Sequence, residues 1–154
     1  MSDPATINPR IIEALYSEAL VLSDEVRNAF TLSGRLERTG LDEDLARIAL
    51  SSEGLRTTSR MMHAIAWLLN HRAYFMGEIS ALQLHNHGRL AMDRTRSEPD
   101  QLALLDPAIA RLIETTRHFY ERLLRLDHAW RMSRDANSSA VRRLHERIEQ
   151  RLAG

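Results

Sequence analysis

Cysteine is absent from the 154 residues, and so is lysine. The first absence removes disulfides, thiolate nucleophiles and thiolate metal sites. The second removes a Schiff-base lysine and a P-loop lysine. All 21 basic residues are therefore arginine, and 21 acidic residues balance them. That balance argues against general nucleic-acid binding, which needs a basic excess. The longest apolar run, Ala64 to Leu69, falls well short of the ~20 residues of a membrane span. The opening "MSDPATINPR" has neither the basic nor the apolar stretch of an export signal. There is no strand pattern, Gly-rich phosphate loop, Gly-x-Ser-x-Gly elbow or His-Glu-x-x-His pair. These absences set the expectation of a cytoplasmic protein that is not an enzyme. It should have no catalytic residues, cofactor, metal, membrane or nucleic-acid partner.

What is present is helical. Asn8-Pro9 is a start signal, an N-cap followed by proline at the first helical position. Ile12, Leu15, Ala19, Leu22, Val26, Ala29, Ser33 and Leu36 then follow in steps of three and four. The spacing predicts a helix over residues 9–37, with Gly34 fraying it and Gly40 ending it. A second helix is expected over 43–76, kinked near Ser51-Ser52 by Gly54 and stopped by Gly77. Ser80-x-x-Gln83 is a capping box and predicts a short helix from Ala81 to about His85. The connection to the next long helix is too long for a plain turn, so part of it should lie back on the bundle. Asp106-Pro107 repeats the start signal. Ile109, Leu112, Thr116, Phe119, Leu123, Leu126 and Trp130 then predict a helix over 107–133.

The expected fold is all-α, an antiparallel three-helix bundle of long helices. A short extra helix sits in the connection between helices 2 and 3. Residues 1–8 form an N-terminal arm and 9–133 the bundle. Residues 134–154 form a charged C-terminal segment, set off weakly by "DANSS", with a thin stripe of Val141, Leu144, Ile148 and Leu152 that suits a further helix.

The stretch "RMMHAIAWLLNHRAYFMGEIS" carries the aromatic weight of the second helix. On a helical wheel Leu55, Met61, Met62, Ile65, Leu68, Leu69 and Met76 share one half of the circumference. Arg60, His63, Trp67, Asn70, His71 and Tyr74 fall on the other. Two readings fit large rings on a polar side. Either the long connection covers them, or they form a protein contact surface, where tryptophan, tyrosine and arginine are the usual anchors. Arg72 falls inside the apolar half and should either snorkel to solvent or meet a carboxylate of another helix.

Other chemistry is thinner. His85 and His87 could share a metal only with a further ligand, for which Asp93 is the nearby candidate. The plainer reading is two histidines at a helix end closed by Gly88. A phosphotransfer role for His63 needs small neighbours, and Trp67 one turn on would crowd it.

The stretch "SSEGLRTTSRMMHAIAWLLNHRAYFMGEIS" resembles the middle helix of the RcdA family, the regulators of CtrA degradation in alphaproteobacteria. The matching features are Ser-Glu-x-x-Arg-x-Thr at 52–58, Arg60-Met61-Met62, Trp67-Leu68-Leu69, Arg72 and Gly77-Glu78. "LLDPAIARLIETTRHFYERLLRLD" is similar to that family's last long helix. The resemblance covers about residues 10–130. It implies a homodimeric bundle that acts as an adaptor, helping the ClpXP protease degrade cell-cycle regulators together with other adaptors. Family members can carry a longer flexible C-terminal tail, whereas only about twenty residues follow Ser133 here and they read as helical. The alternative from a different class is a small-ligand or phosphoryl-relay helical bundle, which would need a polar pocket at the second helix.

Overall fold

The structure, a computed structural model, describes residues 7–33, 41–93 and 97–154. It contains α1 (Pro9–Ser33), α2 (Leu41–Phe75), α3 (Ala81–His87), α4 (Pro99–Leu102) and α5 (Pro107–Ala153), with no strand among the described residues. The end expected for the first helix, with Gly34 and Gly40, lies outside those residues, as does most of the N-terminal arm.

The start signals act as read. The Asn8 side chain accepts from the amide of Ile11 at 3.0 Å, and that of Asp106 from Ala108 at 2.8 Å. Ser80 and Gln83 form both bonds of the capping box. Gly77 has φ +79°, a left-handed conformation that suits glycine, and the Glu78 amide bonds back to the Ala73 carbonyl. Gly54 does not break α2, which is continuous past it. A Cβ there would stand 3.0 Å from the Phe30 ring, so the bare backbone is what lets α1 close in.

The helix directions correct the expected all-antiparallel bundle. α1 does run against α2, since Glu13 pairs with Arg72 while Phe30 lies on Gly54. α5 runs with α2. Arg60 bonds Thr116, Trp67 bonds Asp127 and His71 touches Trp130, so both chains advance together. The physical reason is the long connection. A short turn would force α5 antiparallel to α2, but residues 77–93 and 97–106 lie back along α2.

The core joins Ile12, Leu15, Ala19 and Leu22 of α1 to Met61, Ala64, Trp67 and Leu68 of α2 and Phe119, Tyr120 and Leu123 of α5. Ile7, from the expected arm, is buried with them. α5 is a single helix of 47 residues, about 70 Å long at 1.5 Å per residue. "DANSS" does not interrupt it, so the expected boundary at 133 becomes continuous helix. Val141, Leu144, Ile148 and Leu152 are exposed on its final turns.

Candidate functional site

α2 sits in the bundle at a different rotation from the one its apolar pattern suggests. Its inward seam runs Glu53, Thr57, Arg60, Ala64, Trp67 and His71, in steps of three and four, and all six are buried. Five of those six positions are polar or carry a polar ring atom. Buried polar groups need partners, and most of the partners come from the connection and from α5.

At one end Glu53 accepts from Arg56 at 2.8 Å and from the Ser97 hydroxyl at 2.8 Å, and Arg56 also reaches Gln101 at 3.0 Å. In the middle the Arg60 guanidinium, wholly buried, donates to Asp93 at 2.6 Å and to Thr116 at 3.0 Å. The Tyr120 hydroxyl donates to the Ala91 carbonyl. Burial, with Asp93 and Asp127 close by, pushes the Tyr120 phenol up to about 12, so it stays a donor. At the other end Asp127 accepts from the Trp67 indole at 3.0 Å, the Leu90 amide at 3.4 Å and Arg131 at 3.2 Å. Arg131 also donates to the His85 carbonyl at 2.8 Å. The connection is thus fastened to the bundle at residues 85, 90, 91, 93, 97 and 101.

The expected outward stripe is therefore corrected. Arg60, Trp67 and His71 are interior, at 2%, 2% and 0% exposure. Asn70 and Tyr74 are half-buried, and of the six candidates only His63 is exposed. Trp67 is covered by α5, through Asp127, and lies in the core with Leu90 of the connection, whereas Tyr74 is half-buried against Phe75. Arg72 meets Glu13 at 2.8 Å and lies over the Tyr16 ring, the carboxylate alternative of the two expected for it. Asp93 serves Arg60, and among the described residues no group of three or more His, Asp or Glu could hold a metal. The roles of Asp127 and Arg131 are not legible in the sequence. Their only local signal is the i,i+4 spacing on an amphipathic helix, which many surface pairs share.

His71 is packed between Trp67, ring centroids 4.2 Å apart, and Trp130, at 5.4 Å. Neither ring nitrogen has a hydrogen-bond partner among the described residues. Burial lowers its pKa to about 4, with Arg131 adding to the effect and Asp127 opposing it. The sign follows from linkage. The unfolded chain binds a proton near 6.5 and the fold resists it, so this contribution is intact above 6.5 and is lost as pH falls toward 4. The full loss is on the order of 3 kcal/mol. Denaturant unfolding at pH 7 and pH 4 should show a smaller acid loss in His71→Leu than in the parent chain. Equal losses would mean the imidazole is not held neutral.

Among the described residues, two open surfaces flank α2. One is a groove of about 890 Å³ between the polar edge of α2, residues 85–93 and α5. The other follows the apolar half of α2, where Ile48, Leu55, Met62, Leu69 and Met76 recur every seven residues at 58%, 71%, 64%, 43% and 66% exposure. Beside it Val26 and Phe30 of α1 and Met61 and Ile65 of α2 line a cleft of about 460 Å³. No helix of the described residues is long and apolar enough to cross a membrane.

The class so defined is an all-α bundle clad by a polar-bonded connection, with an apolar row left outward. The chain belongs to the family described as "Protein of unknown function (DUF1465)", which matches residues 4–152. No curated protein and no solved structure matches it.

Proposed function

We propose that the chain is a non-enzymatic interaction protein, an adaptor or regulator of ClpXP-dependent proteolysis of cell-cycle regulators, acting in the cytoplasm as a homodimer. The resemblance of its middle and last long helices to the RcdA family supplies the biological direction. The observation that carries an interaction role is the outward row on α2. A row from Ile48 to Met76 is about 42 Å long at 1.5 Å per residue. Exposed apolar side chains scattered singly need no explanation, but a row aligned on one helix face every seven residues is the kind of surface a partner helix covers. Its side chains are aliphatic and methionine rather than the aromatic ones first expected. That suits helix-on-helix packing with a seven-residue repeat.

The test is a Leu55→Glu, Met62→Glu, Leu69→Glu triple variant. These positions contribute little to the core, so helicity and melting temperature should stay within a few degrees of the parent. Sedimentation should show the parent as a dimer and the variant as a monomer, and immobilised ClpX with its adaptors should capture only the parent. A variant that dimerises and is captured normally would remove the α2 row from function.

A further inference from the structure

α5 carries its bundle-facing seam further than the bundle reaches. Ile113, Thr116, Tyr120, Leu123 and Asp127, in steps of three and four, are buried, and Trp130 packs against the core. The same steps lead through Arg134 and Asn137 to Val141, Leu144 and Ile148, and one turn on to Leu152. A seven-residue repeat drifts by only about 20° per heptad, so these four side chains face the side that the bundle occupies nearer the start of α5. Among the described residues nothing covers them, and all four are exposed. α2 ends at Phe75, one turn past the His71 that touches Trp130, and α1 starts beside it at Pro9. Arg143, Arg147 and Arg151, spaced by four, run along one edge of the strip. All three are exposed, and none is in an ion pair among the described residues. Arg143 bonds to the Ser139 hydroxyl at 3.4 Å. The other edge carries His145 and Glu149.

We infer that the end of α5 is a docking face for an amphipathic helix of a partner protein, with aliphatic side chains along its seam and carboxylates along one flank. A helix laid on the strip extends the bundle end to end, closing the seam that α1 and α2 close earlier. Its carboxylates meet Arg143, Arg147 and Arg151. A second copy of this chain is disfavoured in either direction. A parallel pairing would drive its continuous α5 into the space that α1 and α2 hold. An antiparallel pairing would set the two arginine edges against each other. A flat lipid surface is disfavoured too, because the bundle stands on the strip's own side of α5 and would have to enter the bilayer. Four aliphatic side chains over about three turns make a small interface, of the transient kind. The site is separate from the α2 row and does not depend on how that row is used.

The experiment uses the full chain and a fluorescein-labelled helical peptide with leucine along its seam, glutamate along one flank and glutamine along the other, followed by anisotropy. Saturable binding is expected, weakened by added salt. Leu144→Ser with Ile148→Ser should abolish it, and Arg147→Glu with Arg151→Glu should weaken it at least about tenfold. All four positions are exposed, so the melting temperature should stay close to that of the parent. A counterpart peptide with arginine for glutamate should bind the Arg147→Glu, Arg151→Glu variant better than the parent. No saturable binding by the parent, no loss in either variant, or equal binding of the arginine peptide by parent and variant would overturn the assignment. So would sedimentation with phosphatidylglycerol–phosphatidylcholine vesicles that the Leu144→Ser, Ile148→Ser variant loses, which would assign the strip to lipid. A dimer that the same variant loses would assign it to a second copy. The α2 triple variant should keep peptide binding, so failure here and failure of dimerisation or ClpX capture are separate results.

Discussion

Trp67→Ala should destabilise the chain by about 4 kcal/mol, lowering the melting temperature by roughly 10 °C. The indole is 2% exposed, lies in the core cluster and stacks near His71 at 4.2 Å. Truncation empties that volume and also removes the 3.0 Å bond to Asp127. Collapse into the space is hindered on both sides, by the core of α1 and α5 and by the bonded connection. Trp67→Phe keeps most of the ring and should cost about 1–2 kcal/mol, chiefly from the lost indole bond. Leu55→Ala, at a position 71% exposed on the same helix, should change stability by less than about 0.5 kcal/mol. Thermal melts of the three variants would check the order. Trp67→Ala with a near-parental melt would return the ring to the surface, where the wheel placed it.

Asp127→Ala should cost about 3–5 kcal/mol and loosen the connection. The carboxylate is 4% exposed and takes hydrogen bonds from Trp67, Leu90 and Arg131. Removing it strands a guanidinium that is nearly buried, at 11% side-chain exposure, along with an indole and a backbone donor. Asp127→Ala with Arg131→Met should be less damaging than the sum of the two single changes, because no uncompensated charge is then left inside. Limited proteolysis gives the second readout. The single variant should be cut within residues 85–105 well before the parent. An unchanged cleavage pattern would show that the connection is held by its apolar contacts, such as buried Leu84 and Leu90, and not by the Asp127 cluster.

How far the sequence could be read depended on what kind of force set each feature. Caps and stops are local chemistry, so Asn8, Ser80, Gln83, Asp106 and Gly77 were all legible. The core faces of the first and last long helices were legible too, because Ile12, Leu15, Ala19, Leu22, Phe119 and Leu123 are apolar where they are buried. The second helix misled because its seam is not apolar. Glu53, Thr57, Arg60 and His71 are buried, while Leu55, Met62 and Met76 are outside. A hydrophobic wheel assigns those two sets the wrong way round. The partners that make the polar seam viable, Asp93, Ser97, Thr116 and Asp127, lie 33 to 60 residues away in sequence. No local pattern carries such pairings. The same distance hid the direction of α5, since the way residues 77–93 and 97–106 lie along α2 is a tertiary fact. The polar stretch "DANSS" reads as a weak break because Asp, Asn and Ser are poor helix formers, yet nothing in it stops a helix already running, and α5 continues through it.

The most direct test of the adaptor reading is the half-life of a ClpXP-dependent cell-cycle regulator in cells lacking their own copy of this chain. Restoring the parent chain should shorten that half-life. Restoring the Leu55→Glu, Met62→Glu, Leu69→Glu variant at equal abundance should leave it long. A half-life that does not respond to the parent chain would contradict a role in regulated proteolysis.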